Sequence, residues 1–195
     1  MTTDMLADLR AALGEDRVVI DPDRLALAGQ DIFYRGDPVL AVVRPSGADD
    51  IRRLVDIARQ RKLHLLPRGG GASYTAGYLS CRPEHAVQVD LRGMDAIREI
   101  NGRDLYAIVE PGVTWQALDE ALAPLGLEAP FRGPVSGRVA TIGGAIAQNA
   151  IFYGTGLHGT AADSVIGIEV VTGTGATLRT GSFGVESAAP FLRHF

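Results

Sequence analysis

Met5, Leu6, Leu9 and Leu13 recur at helical spacing and stop at Gly14, which predicts a short amphipathic helix closed by a glycine cap. The stretch from Asp21 to Arg35 is rich in aspartate and has no clear period. It reads as irregular, with one helical turn at Arg24 to Ala28, so residues 1–35 are expected to be a helix and a lead-in. Val39 to Val43 is an unbroken β-prone run ended by Arg44-Pro45, the pattern of a strand buried on both faces. Ser46 is a candidate cap for a helix running to Arg61, whose apolar face is Ile51, Leu54, Val55 and Ala58. A second apolar run, Leu63 to Leu66, leads into Pro67. The succession of strand, helix and strand is a βαβ unit.

Beyond it, Arg68 to Tyr78 is loop by composition and Ala86 to Leu91 a strand. Ala96 to Asn101 and Leu105 to Glu110 read as antiparallel strands around a turn at Gly102-Arg103. Pro111-Gly112-Val113 breaks that pattern, and Thr114 caps a helix whose apolar face is Trp115, Leu118, Leu122 and Leu125. From Gly133 onward glycine, alanine and serine dominate. A short helix over Gly144 to Ala150 and a closing hairpin of Ser164 to Val171 with Thr177 to Thr180 complete the expectation. The class is α+β in two lobes, 36–109 and 110–195.

Composition narrows the chemistry. The net charge of −4 over 195 residues argues against a nucleic-acid surface or a polybasic membrane anchor. Cys81 is the only cysteine, which excludes an internal disulfide and every CxxC metal pattern and fits a reducing compartment. Lys62 is the only lysine, so a Walker A loop is absent. The first ten residues have neither the basic nor the apolar region of a signal peptide. No segment approaches the roughly 18 apolar residues of a membrane helix. A soluble, cytoplasmic protein without a metal is expected.

Glycine is unusually frequent, at 24 residues, and clustered. Gly154-Thr155-Gly156-Leu157-His158-Gly159 matches G-x-G-x-x-G, but the sequel Ser164 to Val171 is strand rather than helix, and the dinucleotide fingerprint needs a helix to begin within it. It is therefore set aside. Arg68-Gly69-Gly70-Gly71-Ala72-Ser73 is the stronger signal. Adjacent glycines let backbone N–H groups form a concave anion nest, and Ser73 and Thr75 add hydroxyl donors. A diphosphate would fit, while the same composition also suits an ordinary surface loop.

With Pro111-Gly112-Val113, the small-residue stretch Pro134 to Asn149, and Gly167-Ile168-Glu169-Val170-Val171, this order of segments resembles the FAD-binding domain of the vanillyl alcohol oxidase and p-cresol methylhydroxylase type. That family is shared with glycolate oxidase and D-lactate dehydrogenase flavoproteins. The resemblance runs from Leu40 to Thr180 and implies a two-lobed FAD-binding domain. It implies that Arg68, Gly69, Gly70, Gly71, Ala72 and Ser73 hold the FAD diphosphate and that Pro111, Gly112 and Val113 line the adenine side. Pro134, Ser136, Thr141, Gly143, Gly144, Gln148 and Asn149 would flank the flavin and ribityl chain, with Ile168 among the cofactor contacts. Many oxidases of the family carry a histidine where Ala72 stands, so FAD is expected to be noncovalent. The family continues with a further strand and a substrate cap. Ending at Phe195, the chain reads as C-terminally incomplete and inactive alone. His158 and Tyr153 are the catalytic candidates; Cys81 is expected to be inert. The implied function is oxidation of a 2-hydroxy acid, alcohol or phenolic small molecule by hydride transfer to flavin. The alternative is a noncatalytic flavin-binding or electron-transfer subunit that works with a partner chain.

Overall fold

The computed structural model describes residues 2–80 and 82–181. Cys81 and the stretch 182–195 lie outside them. The chain divides into two compact units, Met1–Met94 and Asp95–Phe195.

The first unit is built on a four-stranded sheet. Its elements are α1 (Thr2–Leu13), β1 (Val18–Val19), α2 (Pro22–Ala28), β2 (Ala41–Val43), α3 (Ala48–Arg61), β3 (His64–Arg68) and β4 (Ala86–Asp90). The strand order is β1-β2-β4-β3; β2 and β3 both run parallel to β4, and β1 pairs antiparallel with β2. All five residues of β4 are buried, as a central parallel strand covered on both faces requires. On one face Met5, Leu9 and Leu13 of α1 and Leu54 and Ala58 of α3 pack against Ala41, Val43, Val87 and Val89. Leu9 and Leu54 are fully buried, and truncating either to alanine would cost about 2–5 kcal/mol. On the other face Ala28 packs with Val39, Val42 and Ala86.

The N-terminal residues are therefore part of this unit, not a lead-in: α1 supplies core and β1 extends the sheet. The segment from Asp21 also departs from expectation, because α2 is a full helix with Asp21 as N-cap, accepting from the Arg24 N–H, and Pro22 in its first turn. Gly47, not Ser46, is the N-cap of α3. Ser46 instead donates both its N–H and its hydroxyl to Asp50 at 2.8 Å. Arg17 and Arg53 also pair with Asp50. Burial pushes the Asp50 carboxyl up, but the Ser46 donors and Arg17 outweigh it and leave it below the usual carboxylate range.

The second unit begins with the hairpin β5 (Ile97–Asn101) and β6 (Tyr106–Val109). It follows that the expected lobe break at 109/110 is displaced to 94/95. The reason is local: Glu110 accepts from the Ala96 N–H and from Arg98, tying the chain after the hairpin back to its start. Then come α4 (Trp115–Leu122), α5 (Ile142–Ala147), α6 (Thr155–His158) and the hairpin β7 (Glu169–Val171) with β8 (Thr177–Arg179). Thr114 caps α4 through the Ala117 N–H, and Trp115, Leu118 and Leu122 form its buried face. Leu125 is exposed, because the helix gives way to a 3-10 turn at Ala123–Leu125. The closing hairpin is shorter than expected, since Ser164 ends a 3-10 turn that begins at Ala161 and the first strand starts only at Glu169. No helix among the described residues is long and apolar enough to cross a membrane.

Candidate functional site

In the first unit the carboxyl end of β3 delivers the chain into Arg68 to Ser73, and Arg68 is the last strand residue rather than the first of the loop. Gly71 has φ +70°; of the three consecutive glycines it is the one whose conformation demands glycine. A Cβ there would also stand 2.5 Å from Nη2 of Arg68. The Arg68 guanidinium lies 4.9 Å over the Tyr78 ring and donates to Gln88 Oε1 at 3.2 Å. The Tyr78 hydroxyl donates to the Gly71 carbonyl at 3.1 Å. Burial raises the pKa of that hydroxyl and keeps it a donor. The loop is thus braced from beneath by Arg68 and Tyr78.

What the loop offers outward is its backbone. Among the described residues, none accepts a hydrogen bond from the N–H groups of Gly69 to Ser73, although the segment is half-buried. A row of half-buried donors without acceptors, over glycines that leave their approach open, fits a polyanion. Next to it opens a cleft of about 460 Å3 whose lining includes Arg24, Asp31, Arg44, Arg68, Gln88 and Asp90. With Arg92, it presents four guanidiniums against two carboxylates, at the carboxyl ends of parallel strands where ligands of open α/β sheets bind. Gln88, 1% exposed, donates to the Ala28 carbonyl at 2.9 Å and anchors α2 over the sheet. Asp90 accepts two bonds from Arg92 at 2.8 Å. Burial raises its pKa, and Arg92 with Arg44 overcomes that and holds it low.

In the second unit the Pro111 to Val113 turn and the start of α5 are joined. The N–H of Gly143 donates to the Pro111 carbonyl at 3.0 Å and that of Ile142 to the Val113 carbonyl at 2.8 Å. A Cβ on Gly143 would stand 2.6 Å from Cβ of Pro111, so this contact accounts for the glycine. Val113 is 1% exposed; its side chain belongs to the interior, leaving backbone as what this turn can offer a ligand. Thr141 is buried and its hydroxyl accepts from the Gly144 N–H at 3.3 Å as the N-cap of α5. Gly133 and Gly137 have a purely structural origin: a Cβ on either would stand within 2.8 Å of Trp115. Trp115 is core, tilted against Phe131 at 5.0 Å.

Pro134 is half-buried, and the backbone of Ser136 sits in a 3-10 turn. Gln148 and Asn149 are exposed at the end of α5. The Asn149 carboxamide accepts from the Ala162 N–H at 3.2 Å. Ile168 is half-buried and pairs with Thr180. Tyr153 is 72% exposed, and His158 is exposed on α6. The G-x-G-x-x-G segment forms this one-turn helix followed by a 3-10 turn, with no preceding strand to make a dinucleotide site. Sequence reasoning missed Tyr78 as the brace of the loop and Asp31 beside it; the aromatic three residues after Thr75 was the available signal for the first.

A family model described as FAD binding domain matches residues 39–181. Glycolate oxidase subunit GlcD of Bacillus subtilis is 34% identical over 141 residues, 72% of this chain and 29% of its own length. The mitochondrial D-lactate dehydrogenase [cytochrome] of Arabidopsis thaliana is 28% identical over 191 residues, 96% of this chain and 33% of its own. The chain thus spans about a third of the length of these relatives. Among solved structures, substrate-bound p-cresol methylhydroxylase matches with a TM-score of 0.78 at 22% identity, over 92% of this chain and 35% of that one. Alkyldihydroxyacetonephosphate synthase matches with a TM-score of 0.85 at 20% identity, over 98% and 36%. These chains share the expected two-lobed fold.

Proposed function

The chain belongs to the FAD binding domain family, and from that membership we propose that it is the cofactor-holding part of an oxidoreductase acting on a 2-hydroxy acid, alcohol or phenolic compound. The observation that carries the assignment of the site is the row of N–H groups from Gly69 to Ser73 that meet no acceptor among the described residues, over a glycine at φ +70°. In this reading those donors hold the diphosphate, with the charge of Arg68 and the cleft favouring the anion. Pro111 to Val113 would line the adenine side. Pro134, Ser136, Thr141, Gly143, Gly144, Gln148, Asn149 and Ile168 would lie beside the flavin and ribityl chain. When bound, FAD supplies the acceptor for a hydride leaving a carbon that bears oxygen.

The tasks left to the chain are orientation, exclusion of water and handling of the substrate hydroxyl proton. His158 and Tyr153 are the candidates for the last; both are exposed, so a substrate domain or partner would have to enclose them. The substrate class is supported by the relatives' names, which include glycolate oxidase, D-lactate dehydrogenase and D-2-hydroxyglutarate dehydrogenase. The second reading, a flavin-holding subunit of a larger assembly, is favoured by one observation: the relative GlcD is itself named a subunit. Noncovalent attachment is supported by Ala72 in the loop, and a cytoplasmic location by the single cysteine.

The test is a visible spectrum of the purified protein with FAD, followed by steady-state turnover of glycolate, D-lactate, D-2-hydroxyglutarate and 4-methylphenol with an artificial electron acceptor. The reading requires a bound-flavin spectrum and reduction by one of these classes. A protein that leaves FAD free in solution contradicts it.

A further inference from the structure

We propose that Asp31 is a positioning residue that clamps the diphosphate loop from a segment outside the family's matched region, an inference that rests on the FAD reading above. The match begins at residue 39, and Asp31 precedes it. One carboxylate oxygen of Asp31 accepts from the N–H groups of Phe33 at 2.8 Å and Tyr34 at 2.6 Å; the other accepts from the Ala76 N–H at 2.8 Å. The Asp31 N–H closes the turn on the Tyr34 carbonyl at 2.9 Å. The carboxylate therefore joins a tight turn at 31–34 to the far limb of the loop. Two further contacts follow the same seam: Ile32 N–H to the Ser73 carbonyl at 3.5 Å, and the Phe33 ring edge-on to Tyr74 at 6.0 Å.

The loop needs such a hold. Ala76 has φ +56°, a left-handed conformation that an alanine keeps only when its surroundings impose it. Tyr78 and Arg68 brace the near limb at Gly71, and Asp31 fixes the far limb at Ala76, so the donors between Gly69 and Ser73 are held from both sides. Three N–H groups converge on two oxygens, and a carboxamide cannot receive them all, because its NH2 would confront one N–H. The three backbone donors hold the Asp31 pKa low against desolvation, so the clamp stays ionised at neutral pH.

The sign of the effect separates this role from simple electrostatics. A carboxylate beside a loop that receives a diphosphate repels the ligand, so by Coulomb's law alone removing it tightens binding. A clamp predicts the reverse. FAD and FMN are titrated by calorimetry into the wild type, Asp31→Ala and Asp31→Asn, with amide hydrogen exchange read at Ala76. FAD affinity is expected to fall by at least about tenfold in Asp31→Ala and less in Asp31→Asn, which keeps one side of the clamp. The preference for FAD over FMN should shrink, since FMN has no diphosphate, and Ala76 should exchange faster. General destabilisation would weaken both flavins alike. Unchanged or tighter FAD binding in Asp31→Ala, or equal losses for the two flavins, overturns the inference. A wild type that binds neither flavin overturns the FAD reading itself, and the clamp falls with it; that outcome is visible before any variant is compared.

Discussion

Adding one methyl group at Gly71 tests the brace beneath the loop. At φ +70° an alanine is disfavoured by about 1–2 kcal/mol. Its Cβ would stand 2.5 Å from Nη2 and 2.9 Å from Nε of Arg68, so the guanidinium must leave its place over Tyr78 and its bond to Gln88. The stack is worth about 0.5–1 kcal/mol and the charge-assisted bond about 1.5–3 kcal/mol. Arg68 is half-buried and recovers part of this by turning into the cleft, which leaves a net of about 3 kcal/mol. The loop can escape that strain by opening, and the energy returns when FAD draws it closed. FAD affinity in Gly71→Ala should then fall by about a hundredfold, read by calorimetry. The sheet below is untouched, so thermal unfolding should move by only a few degrees. A variant that binds FAD within about twofold of the wild type would refute both the left-handed requirement and the brace.

Acid precipitation of the flavin-loaded protein should leave a colourless pellet and a yellow supernatant, on the proposal that Ala72 occupies the position at which related oxidases carry a flavin-linked histidine; a pellet that stays yellow through washing contradicts this. Competitive calorimetry should show FAD bound more tightly than FMN, since the N–H groups of Gly69 to Ser73, which meet no acceptor among the described residues, are on the proposed reading donors to the diphosphate. Asp50→Asn should lower stability to urea by about 2 kcal/mol at pH 7, by replacing the buried carboxylate that pairs with Arg17 with a neutral amide. Because the folded pKa of Asp50 is lowered, its contribution is complete above the unfolded value of about 3.9 and disappears as pH falls through the folded value below it. The wild type and this variant should therefore converge in stability at strongly acid pH. Gly143→Ala should weaken FAD binding and lower the melting temperature together, since its Cβ meets Pro111 backbone that cannot swing aside.

Elements with a strong period or an unbroken apolar run were legible in the sequence: α3, β4, the hairpin of β5 and β6, and the capped start of α4. In the first unit one element escaped and another was read only as a single turn, for physical reasons. A strand of two residues, Val18–Val19, carries no period, and its pairing with β2 is a tertiary event. Helix α2 buries only Ala28, so the apolar stripe that betrays a helix is missing, although Asp21-Pro22 announced its start. At the site, glycine enrichment pointed to the loop but could not separate two causes of the same signal. Gly71 answers to a left-handed turn, whereas Gly133 and Gly137 make room for Trp115. The bond between Asp31 and Ala76 spans 45 positions, and no local pattern encodes it.

The strand order of the first unit has a consequence for how the molecule is assembled. β4 lies between β2 and β3, yet it is the last of the three along the chain. When the first βαβ unit forms, its two strands cannot pair with each other; they flank an open slot that only residues 86–90 can fill. The connection that must close for this to happen is 69–85, the segment that begins with the glycine loop. Closing such a connection restricts the chain before the central strand repays it with contacts. Any ligand that binds the closed loop therefore favours the completed sheet by mass action, and on the proposed reading FAD supply is expected to set how much folded protein accumulates.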